Sequence, residues 1–159
     1  MAGEQSKDAD ELAEAVARRA RETGRSIAAA ESLTSGNVAA HLGAAPQASE
    51  WFAGGVVAYS SQVKHAVLGV EPGPVVTARC ARQMAEGVAR LTGADLAVAT
   101  TGAGGPDPQD GQPPGTVFIA VRTPVGVQAT EHHFDGGPRD VVQAATRAAL
   151  GLLLAGFDQ

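Results

Sequence analysis

The sequence predicts an α/β fold: a single-domain α/β/α sandwich with a mixed, mostly parallel sheet and a C-terminal hairpin. Two observations carry this prediction. Amphipathic segments alternate with short apolar runs through the first two thirds of the chain, and two adjacent strand-like segments then precede a last helix. No internal repeat and no linker composition interrupts the pattern. Residues 8–159 therefore read as one domain behind a flexible segment at residues 1–7.

Each element has its own signal. From Asp8 to Thr23, Leu12 and Val16 stand four apart with Ala9, Ala13 and Ala20 beside them, an amphipathic helix ended by Gly24. Ser26 to Ala30 is a short apolar run that stops at Glu31-Ser32, a buried strand delivering two polar residues to its C-terminal end. Thr34, Ser35 and Gly36 open a second helix, with Thr34 as its cap, running to about Leu42. Gly43 to Ser49 is loop, and Trp51 and Phe52 follow as anchors. Gly54 to Ser60 reads as a second strand, and Gln62 to Leu68 as a short helix that places Lys64 one turn further on. Pro72 and Pro74 break the chain. Thr77 then caps a helix to about Leu91, with Cys80, Met84, Val88 and Leu91 on one face. Asp95 to Thr101 is apolar enough for a central strand. It leads into a long loop from Gly102 to Gly115, and loops of that length in compact domains are functional or disordered. Thr116 to Thr123 and Val125 to Phe134 form a hairpin through Pro124-Val125-Gly126. Pro138 opens the final helix, which buries Val141, Ala145, Ala148, Ala149 and Leu152 on its way to about Leu154.

Composition narrows the function classes. Of the 159 residues, 44% are apolar and only 4% aromatic, so the core is built from Ala, Val and Leu. A net charge of −5 argues against a nucleic-acid partner, whose backbone demands a concentrated excess of Lys and Arg. It leaves room for a small anionic ligand. Cys80 is the single cysteine, so no intrachain disulfide can form, which fits a reducing compartment. The polar, acidic stretch Met1 to Asp10 does not resemble a secretory signal, and no apolar run approaches the roughly 18 residues of a membrane span. A cytoplasmic chain with no membrane partner is expected. His132 and His133 are strand neighbours facing opposite ways, His41 and His65 are isolated, and no zinc spacing occurs, so no metal is expected. Asp107 and Asp110 sit among prolines, where they bind a cation loosely or only solvate the loop. Cys80 reads as core.

Ligands of open α/β sheets bind beyond the carboxyl ends of the strands. Three such ends here carry polar groups: Glu31, Ser32 and Thr34; Tyr59, Ser60, Ser61 and Lys64; and Thr100, Thr101 with the glycine-rich loop. Ser32 before Thr34-Ser35-Gly36 reads either as a strand–turn–helix nucleophile with an anion cradle or as a plain helix cap. Lys64 is either a base with a depressed pKa or a solvated lysine; Lys7 is the only other one in the chain. Gly102 to Pro106 either wraps a ligand with backbone N–H groups or merely connects, and it is neither a Walker A loop nor a dinucleotide fingerprint. Arg139, at a helix start, either pairs with phosphate or is solvated.

Four ordered blocks carry a family resemblance: AESLTSG from Ala30, GGVVAYSSQVKHAVLGV from Gly54, ADLAVATTGAGGPDPQDGQPPGTVFIAV from Ala94, and FDGGPRDVVQAATRAAL from Phe134. From Asp8 to about Leu154 the chain resembles the C-terminal domain of the competence/damage-inducible protein CinA, whose stand-alone members are nicotinamide-mononucleotide amidohydrolases. The resemblance implies hydrolysis of nicotinamide mononucleotide to nicotinate mononucleotide and ammonia, with no cofactor. By motif position it makes Ser32 the nucleophile, Lys64 its base, and Thr101 a hydroxyl near the reacting amide. Thr34, Tyr59, Gly102 and Gly105 would shape the pocket, and Arg139 would meet the phosphate. The partner implied is the small nucleotide; a homodimer or higher homo-oligomer is expected, with Trp51-Phe52 as a contact.

The chain departs from the family pattern. The usual ESCTGG reads ESLTSG, with Leu33 and Ser35, and the usual TGIAGP reads TGAGGP, with Gly104. Ser61 replaces an Asn, and Val142 and Gln143 stand where the final helix often carries Arg. Two alternatives accompany these departures: a nucleotide-binding domain of the same fold with weak or no turnover, and an amidase for another phosphorylated or nucleoside amide.

Overall fold

The computed structural model describes residues 2–159, with side chains from Asp8 onward; its first helix starts at Ala2, ahead of the expected Asp8. The order of elements is α1 (Ala2–Thr23), β1 (Ile27–Glu31), α2 (Asn37–Ala44), α3 (Ala48–Trp51), β2 (Phe52–Val57), α4 (Ser61–Leu68), α5 (Ala78–Thr92), β3 (Leu96–Gly102), β4 (Thr116–Thr123), β5 (Gly126–His133) and α6 (Pro138–Gly156).

The sheet runs β2-β1-β3-β4-β5. β1 pairs parallel with both β2 and β3, while β3–β4 and β4–β5 are antiparallel. Two antiparallel steps restore direction, so four of the five strands point the same way and β4 alone opposes them. β1 and β3 are buried throughout, because helices cover both faces. Alternation sorts their side chains. Ile27, Ala29, Leu96 and Val98 face α1, α2 and α6. Ala28, Ala30, Ala97 and Ala99 face α5. The alanines let α5 lie close to the sheet, and α5 itself approaches α4 through Gly87, where a Cβ would stand 2.0 Å from the Leu68 carbonyl oxygen.

Several elements differ from the sequence reading. α2 begins at Asn37 instead of Thr34, because residues 32–36 form a turn with Ser35 and Gly36 both at positive φ. β2 begins at Phe52, which pairs with Ile27, and ends at Val57; Ser60 instead caps α4, accepting the Val63 N–H. A short helix, α3, starts at the end of the expected loop and holds Trp51. That side chain is 3% exposed, with its Nε1–H donating to the Pro46 carbonyl, so it belongs to the core and is no candidate contact for a second subunit. Leu91 is exposed; α5 buries Ala81, Ala85 and Gly87 alongside Cys80, Met84 and Val88. In α6, Leu150 and Leu153 are the fully buried leucines, and Leu152 is only partly covered.

Candidate active site

The parallel neighbours β1 and β2 bring two residues 32 positions apart into contact. Ser32 follows the last residue of β1, and its N–H is anchored on the Thr100 carbonyl of β3. Lys64 lies in the first turn of α4, the helix that follows β2. Its Nζ stands 2.9 Å from Ser32 Oγ and 3.0 Å from the Tyr59 carbonyl oxygen, donating to both. Lys64 is 1% exposed. Burial pushes its ammonium below the ordinary lysine range, opposed by Cys80 where it is ionised and by the Asp110 carboxylate. In its neutral form the amine can accept the serine proton, which reverses the direction of the bond and makes Ser32 a nucleophile.

Glu31 sets the attitude of Ser32. Its buried carboxylate accepts the Thr34 hydroxyl at 2.6 Å, the Val38 N–H at 2.9 Å and the Ala39 N–H at 2.9 Å. Thr34 Oγ1 also lies 2.8 Å from Thr100 Oγ1. Thr34 is therefore a buried strut between β1, β3 and the turn, and neither caps α2 nor reaches the cavity. The N-terminus of α2 is likewise closed to an outside anion, since the chain's own carboxylate already occupies it. The amides of Leu33 and Thr34 remain, with no acceptor among the described residues.

Ser32 opens into a cavity of about 350 Å³ lined by Leu33, Tyr59, the loop residues Gly102, Gly104, Gly105 and Asp107 to Gln109, and Pro138 and Val142 of α6. Tyr59 is 69% exposed and stands at the rim. Gly102 and Gly105 line the cavity as expected. Gly102 is also needed for packing, because a Cβ there would meet the Thr116 carbonyl oxygen at 2.7 Å. Thr101 is not part of the cavity lining: its hydroxyl donates to the Val75 carbonyl at 2.8 Å. Strand alternation puts it on the α5 face of the sheet, with Ala97 and Ala99. Arg139 is exposed one position beyond Pro138 and outside the lining, whose one charged side chain among the described residues is Asp107. A larger concavity of about 670 Å³ lies at the opposite end of the sheet, between the end of α5 and the β4–β5 turn, far from the Ser–Lys pair.

Two residues matter more here than the sequence indicated. Glu31 was visible as a polar strand end, but its role as the clamp of α2 needed the fold. Asp110 accepts the N–H groups of Val75 and Val76 at 2.8 and 3.0 Å. It therefore ties down the loop instead of solvating it. The readable signal was Asp110-Gly111, a pair suited to a two-residue reversal with positive φ, which is what the Gln109–Gln112 bridge closes.

An α/β sandwich that buries a serine–lysine pair beyond the ends of adjacent parallel strands carries its candidate site where open α/β sheets carry theirs. The profile of the CinA C-terminal domain matches residues 9–156, and the chain belongs to that family. It is 36% identical over 157 residues to a Bacillus velezensis protein that carries the competence-damage inducible name, covering 96% of this chain and 38% of that one. The chain thus spans little more than a third of the length of that relative. Competence damage-inducible protein A of Klebsiella pneumoniae superposes with a TM-score of 0.91 at 34% identity, covering 95% of this chain and 98% of that one. The competence/damage inducible protein CihA of Agrobacterium tumefaciens gives 0.89 at 31% identity, with 96% of each chain covered. Among the described residues no helix is long and apolar enough to cross a membrane.

Proposed function

We propose that the chain is a serine-dependent amidohydrolase acting in the cytoplasm, with nicotinamide mononucleotide as its first substrate. The observation that carries the reading is the 2.9 Å contact between Ser32 Oγ and a buried Lys64 whose burial favours the neutral amine. An exposed lysine would stay protonated and could not act as a base near neutral pH.

The chemistry follows from the geometry. Ser32 Oγ attacks the carboxamide carbon while its proton passes to Lys64 Nζ. The oxyanion of the tetrahedral adduct takes a hydrogen bond from the free amide of Leu33, a residue of the cavity lining. Lys64 then returns the proton to the departing nitrogen, ammonia leaves, and an ester on Ser32 remains. Water, deprotonated by the same amine, cleaves that ester to the carboxylate and restores the serine. The alternative course, direct attack by water oriented on Ser32, uses the same base.

The test is ammonia release from nicotinamide mononucleotide by the wild type, Ser32→Ala and Lys64→Ala. Each variant is expected to lose at least about a thousandfold in kcat, as members of a catalytic unit do. Release that persists in both variants would refute the assignment. No release by the wild type, with nucleotide binding retained, identifies a binding domain without turnover.

A second reading, an amidase for a less anionic nucleoside amide, is favoured by the cavity wall. Val142 is apolar, Arg139 stands outside the lining, and Asp107 would repel a phosphate placed beside it. Comparing kcat/KM for the nucleotide with that for its dephosphorylated nucleoside decides between the two.

A further inference from the structure

The loop that forms one wall of the cavity is fastened at a point that the chemistry above does not use. Gly104, Gly105, Asp107, Pro108 and Gln109 line the cavity, and the chain reverses immediately afterwards at Asp110-Gly111. Both reversal residues are at positive φ, +52° and +75°. This conformation directs the Asp110 carboxylate onto the N–H groups of Val75 and Val76, in the segment leading into α5. From the other side, the Thr101 hydroxyl holds the carbonyl of the same Val75. Residues 75–76 thus lie between the end of β3 and the tip of the loop, joined to both. Val75 and Val76 are themselves buried, so the anchor is rigid.

We propose that Asp110 is a positioning residue of the active site: it pins the glycine–proline wall over Ser32 through Val75 and Val76. This inference rests on the amidohydrolase reading. Two consequences follow. Without the pin, the wall is free to swing away from Ser32 and the cavity loses its shape before substrate arrives, which weakens binding more than chemistry. Without the charge, the Lys64 amine takes up a proton less readily. The titratable groups acting on Lys64 are Cys80 from α5 and Asp110 from the loop; Ser32 and the Tyr59 carbonyl reach it as neutral groups. Asp110 favours the ammonium form.

Two variants separate the roles. Asp110→Gly accepts the positive φ and deletes the pin together with the charge. Asp110→Asn keeps an oxygen for the two N–H groups and deletes only the charge. For Asp110→Gly, KM is expected to rise about tenfold with kcat within about twofold, the size expected for losing hydrogen bonds to a charged acceptor. For Asp110→Asn, KM is expected to return toward the wild-type value, while the acid limb of the pH–rate profile moves to lower pH because the base form of Lys64 appears earlier. A readout independent of turnover accompanies these: amide hydrogen exchange of residues 103–112 should accelerate in Asp110→Gly and stay slow in Asp110→Asn. Unchanged exchange and unchanged KM in Asp110→Gly overturn the inference. If the wild type hydrolyses no amide yet the exchange result holds, the pinning stands and the amidohydrolase reading is what failed.

Discussion

The turn between β1 and α2 shows how much chemistry depends on a few backbone angles. Ser35 occupies the left-handed region at φ +51°, a conformation that costs a residue with a Cβ about 1–2 kcal/mol. Its hydroxyl makes only long contacts with the carbonyl oxygens of Ser32 and Leu33, at 3.5 and 3.4 Å. The family pattern that the sequence resembles has glycine there. Ser35→Gly is therefore expected to stabilise the protein by about 1 kcal/mol, measured as a higher urea midpoint at unchanged slope. The side chain is exposed, so packing does not oppose the change. Legibility at this scale divided along a clear line. Ser32 and Lys64 could be named because both sit where strands end, and the resemblance supplied their roles. Thr34 and Thr101 were placed near the substrate from motif position alone. Thr34 is held by Glu31 close by and by Thr100, and Thr101 by Val75; the last two are distant in sequence, and no local pattern reveals them.

At the scale of elements, the periodic signals located nearly every helix and strand, and β4 matched at both ends. The errors fall at boundaries and at close approaches. Thr34 looked like a cap because caps are read from residue type, whereas the helix start was decided by the Glu31 carboxylate seated on the amides of Val38 and Ala39. Leu91 looked like core because it continued a spacing of three and four, but α5 meets the sheet through small residues and ends beyond it. Gly87 shows the same economy of volume. Gly87→Ala would drive a methyl group into the Leu68 backbone, where no side-chain rotation relieves it. We expect a loss of about 3 kcal/mol in urea unfolding, at the upper end of overpacking effects. The same change at half-buried Gly151, with open space around its Cβ, is expected to be neutral or stabilising and serves as the control.

For the molecule as a whole, the active-site amine links turnover to stability. Lys64 binds its proton less tightly in the folded chain than in the unfolded one, because burial disfavours the ammonium. Between the depressed folded value and the unfolded value of about 10.4, the unfolded state therefore carries more protons, and stability rises with pH. Below the folded value both states are protonated and the penalty is complete; above the unfolded value it vanishes. Lys64→Met removes the group and is expected to abolish this rise, while kcat falls to background. The fluorescence of Trp51, the only tryptophan and a core residue, reports the unfolding transition at each pH. Parallel pH-dependence in wild type and variant would show that Lys64 is not the group responsible.

The burial of Lys64 also sorts the chain's amines by reactivity. With Lys7 as the only other lysine, acylating reagents added to folded protein leave residue 64 unmodified, and the same reagents reach it once the chain opens. The extent of its acylation, followed by peptide mass, therefore records what fraction of a sample is folded, in crude lysate as well as in pure solution.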